Sequence, residues 1–122
     1  MMLRGAIIAC ALAGSAQAQS VKLDGHEITV LLTGNTAVGD WDGISYRQYF
    51  DPDGTTTFAQ NDARSALGNW RVSDGAYQSI WSGDPDWQGW FIMEYAGDYY
   101  WVSKTTPPTP FHVLDGQQLV EQ

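Results

Sequence analysis

Beyond residue 35 the chain is cut into short runs in which Tyr, Trp, Phe, Thr and Val alternate with polar positions. Period-two alternation marks half-buried strands. The runs are Ser45–Phe50, Thr55–Gln60, Asn69–Val72, Ala76–Trp81, Gln88–Ala96, Tyr99–Lys104, Phe111–Leu114 and Gln117–Val120. Between them stand Asp51-Pro52-Asp53-Gly54, Ser73-Asp74-Gly75, Gly83-Asp84-Pro85-Asp86, Gly97-Asp98 and Asp115-Gly116. Gly and Asp tolerate positive φ and Pro presets the first corner of a turn, so these are hairpin loops. The pattern predicts a mainly β protein, an antiparallel meander forming a small open barrel or a sandwich.

Ahead of the strands the period changes. Ile28, Leu31 and Leu32 follow at helical spacing, and Asp24 with Glu27 makes a capping box. Gly34-Asn35 supplies a left-handed stop, which predicts one short N-terminal helix over Asp24–Thr33. The β-branched pair Thr29-Val30 leaves a strand over Glu27–Leu32 as the alternative.

In the Gln88–Ala96 run, Trp90, Ile92 and Glu94 share one face while Phe91, Met93 and Tyr95 share the other. Tyr99, Trp101 and Ser103 oppose Tyr100, Val102 and Lys104 in the next. Both faces of this hairpin are apolar, so one fills the core and the other needs cover from the helix, the Pro-rich segment or a ligand. That segment, Thr105-Thr106-Pro107-Pro108-Thr109-Pro110, cannot occupy a ladder interior. It is expected to cross an end of the sheet and return Phe111 and Val113 as an edge.

The first residues belong to neither pattern. Arg4 precedes an apolar run from Gly5 to Gly14 and then Ser15-Ala16-Gln17-Ala18, the layout of a cleaved secretory signal peptide. Residues 1–18 are read as the signal and 19–122 as a single β-rich domain, periplasmic or secreted. A lipoprotein anchored at Cys10 is disfavoured, because the apolar run continues past it through Ala11-Leu12-Ala13. The run is also far short of the ~20 apolar residues that span a bilayer, so no membrane span is expected.

Cys10 is the only cysteine and leaves with the leader. Disulfide scaffolds, cysteine-built metal sites and thiol nucleophiles are thereby excluded. Stability falls to the core, which has 6 Trp, 6 Tyr and 4 Phe to draw on. The net charge is −8, with 14 Asp+Glu against 6 Lys+Arg. Scattered cations at Lys22, Arg47, Arg64, Arg71 and Lys104 make no basic stripe, which argues against nucleic acid and anionic lipid as partners.

Three segments carry a resemblance: Leu32-Thr33-Gly34-Asn35-Thr36, then Tyr49-Phe50-Asp51-Pro52-Asp53-Gly54-Thr55, then Gly68-Asn69-Trp70-Arg71-Val72-Ser73-Asp74-Gly75. In this order they resemble a class of small exported alphaproteobacterial proteins of uncharacterised function. The resemblance spans most of 19–122 and implies a lipocalin-like or open-barrel outline, with no activity attached. That class often carries two cysteines in the hairpin after the tryptophan. The matching stretch Ala76–Phe91 has Tyr77 and Trp90 but no cysteine, so no disulfide carries over.

Catalytic patterns are sparse. Asp40/Asp42, Asp51/Asp53 and Asp84/Asp86 are Asp-x-Asp pairs, but an EF-hand begun at Asp51 has its glycine and twelfth-position acid misplaced. The pairs read as solvated turns. Glu94, with Asp98 following at a turn, or one of the aspartate pairs is the carboxylate set that glycoside hydrolysis would use, kept as a low-ranked hydrolase alternative. His26 and His112 lie far apart in the chain and no Gly-x-Ser-x-Gly elbow occurs, so neither a triad nor a zinc site is indicated. No metal, cofactor or catalytic residue is assigned.

The tryptophans are the informative feature. Rings of this density either fill the core of a cysteine-free domain or line a recognition surface. If they bind, Trp81, Trp87, Trp90, Tyr99 and Trp101 are the candidates for holding a small apolar or aromatic ligand in a calycin-like barrel. The alternative is an interaction or inhibitor module in which Trp41, Asp84 and Asp86, together with an exposed Trp87, meet a basic envelope protein.

Overall fold

A computed structural model describes residues 19–61 and 63–120; the expected signal peptide lies outside them. In chain order the elements are β1 (Val21–Lys22), α1 (Gly25–Leu32), β2 (Thr36–Trp41), β3 (Ile44–Phe50), β4 (Thr55–Gln60) and β5 (Ala66–Ser73), followed by β6 (Ala76–Trp81), β7 (Gln88–Tyr95), β8 (Asp98–Val102) and β9 (Thr109–Leu114). Every strand from β2 to β9 pairs antiparallel with the next, and β9 returns to pair with β2. The result is a closed eight-stranded up-and-down barrel, with β1 added alongside β7. Of the two architectures the alternation allowed, the barrel forms, and closure removes its sheet edges. Among the described residues no helix is long and apolar enough to cross a membrane.

The capping box forms as expected. The Asp24 carboxylate accepts the Glu27 N–H at 2.8 Å, and the Glu27 carboxylate accepts the Asp24 N–H at 2.9 Å. α1 lies across one end of the barrel with Ile28 and Leu32 fully buried against the core, while Thr29 and Val30 face outward. At its far end Gly34 takes φ +76, and Asn35 gathers three segments. Its side-chain amide donates to the Leu31 carbonyl at 2.9 Å and accepts the Gly116 N–H at 3.0 Å, while its backbone carbonyl accepts the Phe50 N–H at 3.1 Å.

Three tight hairpins turn on residue pairs that both hold positive φ: Asp42-Gly43, Asp74-Gly75 and Ala96-Gly97. This is the type I′ geometry that matches strand twist. β2 was not foreseen, because Gly39 and Asp40 interrupt its apolar pattern. Gly39 is there for room: a β-carbon on it would stand 3.0 Å from the Tyr46 hydroxyl and 3.1 Å from the Pro110 carbonyl. The ring of Tyr46, cross-strand from it, lies over the bare backbone.

Two expectations need correction. β9 is no edge; it is sandwiched between β2 and β8, and Phe111 is buried. Pro110 is accommodated because it pairs with Tyr100 of β8, whereas pairing with β2 ends at Gly39–Phe111. Gln117–Val120 forms no strand. Instead the Thr36 hydroxyl donates to the Gly116 carbonyl at 2.7 Å and accepts the Gln118 N–H at 2.9 Å, while Arg47 donates to the Gln118 carbonyl at 2.8 Å. With the barrel already closed by β2 and β9, this tail has no ladder left to join.

The two faces of the β7–β8 hairpin divide as the alternation required. Ile92 and Trp101 are buried inside, and Phe91 and Tyr95 are exposed outside. On the outer face Phe91 has the Lys22 ammonium 3.9 Å above its ring.

Candidate functional site

The barrel interior is filled at the helix end and hollow at the other. The hollow is a cavity of about 380 Å³ that opens to solvent, a size typical of small-molecule sites. Six of the eight barrel strands send rings into it: Trp41 from β2, Tyr46 from β3, Phe58 from β4, Tyr77 and Trp81 from β6, Trp90 from β7 and Trp101 from β8. Gln48, Gln60, Ser79 and Gln88 supply its polar side chains, and none of the described lining residues carries a charge.

The rings hold one another in place. Trp41 meets Trp90 edge to face at 5.8 Å, and Phe58 stacks on Tyr46 at 5.1 Å while presenting its edge to Trp81 at 6.2 Å. Trp101 stacks on Phe111 at 4.2 Å, which fixes it between core and cavity. Trp81 lies over Gly68, where a β-carbon would stand 2.6 Å from the ring. Such pairings add about 0.5–1.5 kcal/mol each beyond area burial, so the wall is organised before any ligand arrives.

Between the rings and the core runs a polar layer. Trp101 Nε1–H donates to the Tyr46 hydroxyl at 3.0 Å. Gln48 gives its amide hydrogens to the Tyr77 hydroxyl at 2.8 Å and to the Thr56 hydroxyl at 3.0 Å; Thr56 in turn donates to the Tyr49 carbonyl at 2.8 Å. Burial pushes the Tyr77 phenol up to about 12 and also raises Tyr46, because an ionised phenol loses its hydration there. Both are therefore neutral hydroxyls at physiological pH.

Of the sequence candidates, Trp81, Trp90 and Trp101 converge on this cavity, and Trp41 joins them, turned inward rather than toward a partner. Trp87 does not line it. Trp87 is half-buried in the loop before β7, and the Arg71 guanidinium covers its ring face at 3.9 Å. Tyr99 is also elsewhere, tilted against Phe111 at 5.9 Å in an open pocket of about 350 Å³ that it shares with His26, Glu27 and Glu94 at the helix end. Asp84 folds back into its own turn, where its carboxylate accepts the Trp81 N–H at 3.0 Å; Asp86 is exposed. Among the described residues no three His, Cys, Asp or Glu side chains cluster as a metal site.

Tyr46, Gln48, Phe58, Gln60, Ala66, Tyr77, Ser79 and Gln88 were missed as lining residues. The available signal was in β3, where Tyr46, Gln48 and Phe50 occupy alternate buried positions. A glutamine on the same face as two aromatic rings marks a polar group that the interior must satisfy.

No protein-family model matches the chain, and neither the curated proteins nor the solved structures yield a match.

Proposed function

We propose that this protein is an exported, non-catalytic binding module that takes a small uncharged ligand into the open end of its barrel. One observation carries the proposal: a solvent-open cavity of about 380 Å³ walled by seven aromatic rings, with no charged side chain among its described lining residues. Aromatic walls desolvate a flat apolar ligand at little entropic cost, because the rings are already fixed by their contacts with one another. Among its described lining residues the polar groups are amides and hydroxyls, which suit hydrogen bonding to a neutral ligand.

Tryptophan emission reports directly on the wall. Titrating the purified protein with neutral bicyclic aromatics is expected to shift or quench its emission in a saturable way. Trp90→Ala is expected to weaken that binding about tenfold. Absence of a saturable response to every compound, or unchanged affinity in Trp90→Ala, would defeat the proposal. The interaction-module alternative finds no specific support, since Trp41 turns inward, Trp87 is covered by Arg71 and Asp84 is engaged in its turn.

A further inference from the structure

Among the described residues the Tyr46 hydroxyl hydrogen meets no hydrogen-bond acceptor. An indole N–H can only donate, so at 3.0 Å the Trp101 ring fills an acceptor position on the Tyr46 oxygen and leaves the phenol's own hydrogen unused. Among the described residues Trp101 is its one hydrogen-bond partner. The phenol is buried but belongs to the cavity lining, so the hydrogen's remaining outlet is the cavity. Donation from the indole also polarises the phenol and makes it a stronger donor in turn.

The ring is held firmly. It packs over Gly39 on one strand and stacks on Phe58 of another at 5.1 Å, with an interplanar angle of 20°. Gln48, beside it on β3, is already committed through both amide hydrogens.

The chemistry of the ligand follows from what surrounds that donor. Rings from six strands encircle the cavity, leaving no continuous polar belt for the hydroxyls around the edge of a sugar. An anion would find no cation among the described lining residues, and Asp40 lies near enough to Tyr46 for its charge to disfavour a second negative charge there. An uncharged flat aromatic compound with one strong acceptor satisfies both wall and donor. We propose that Tyr46 donates its hydroxyl hydrogen to a carbonyl oxygen of the ligand, and so selects aromatic ketones and lactones over plain aromatic hydrocarbons. This rests on the cavity being the binding site.

The test compares chromone with naphthalene, two neutral bicyclic compounds of similar size that differ in the carbonyl. The wild-type protein is expected to bind chromone about tenfold more tightly than naphthalene, and Tyr46→Phe to reduce that ratio to about twofold. Chromone-2-carboxylate and cellobiose are expected to bind at least about tenfold more weakly than chromone. Because Tyr46→Phe also strips Trp101 of its acceptor, the infrared carbonyl stretch of chromone on the wild-type protein gives a second measurement independent of the variant's folding. It is expected below the frequency found in an alkane solvent. Equal binding of chromone and naphthalene, a preference that survives Tyr46→Phe, an unshifted stretch, or tighter binding of cellobiose would each overturn the assignment of Tyr46. If neither aromatic compound binds, the cavity proposal itself falls.

Discussion

At the helix end of the barrel, Ile28 and Leu32 reach into the interior and share the core with Phe50, Ile92 and Phe111, leaving those five side chains essentially without solvent contact. At the opposite end Trp41, Phe58, Trp81 and Trp90 stand around a void and remain half-exposed. The same strands supply both ends, and both ends draw on their inward-facing aromatic rings. The difference lies in what crosses the opening: a capped helix directly preceding β2 in the chain at one end, and nothing among the described residues at the other. Close packing at the first end fixes the barrel, so that the second can keep large rings around an empty volume.

If this division of labour is right, truncation should be expensive at one end and tolerated at the other. Leu32→Ala is expected to lower unfolding free energy by about 2–5 kcal/mol in urea titration, and Trp90→Ala by about 1 kcal/mol, since Trp90 is partly wet already. A larger loss at Trp90 would reverse the contrast. Next in size, Gly68→Ala should cost about 1–3 kcal/mol and alter tryptophan emission, because the new methyl displaces the Trp81 ring from its neighbour's backbone.

The polar layer between the two ends adds a pH dependence. Tyr77 has its folded pKa raised from 10.0 to about 12 by burial, so folding favours its neutral form. That contribution is fully present below pH 10 and is lost as pH rises toward 12, where only the unfolded chain ionises freely. The thermal midpoint is expected to fall across that window, and to fall less steeply in Tyr77→Phe. The smallest effect expected is a gain. Ala96 holds φ +53 at the helix end of the barrel, and Ala96→Gly should stabilise by about 0.5–1 kcal/mol without changing ligand affinity at the other end.

How far the sequence alone reaches differs between the two ends in the same way. The plug is local: Asp24, Glu27, Ile28 and Leu32 lie within one short segment, and both the capping box and the helix could be read from it. The cavity is not local. Gln48 meets Tyr77 across 29 positions and Trp101 meets Tyr46 across 55, distances at which alternation assigns a face but not a partner. Trp41 looked exposed because aspartates flank it, yet alternation along β2 turns the aspartates outward and the ring inward. Trp87 and Tyr99 shared the composition of the site without its position. β2 itself was hidden by Gly39, a residue chosen for the ring above it rather than for strand propensity.

The seam between β2 and β9 has a consequence in time as well as in space. Every other pairing in the barrel joins neighbours along the chain, whereas this one joins Thr36 to Leu114, with Thr36 and Asn35 also bonded to Gly116 across 80 and 81 positions. Closing so long a loop is the slowest contact to find, so the meander should assemble first and the seam last. Hydrogen exchange would then show the amides of Ala37 and Val113 opening ahead of those in the β5–β6 hairpin, giving the barrel a clasp that loosens before its hinges do.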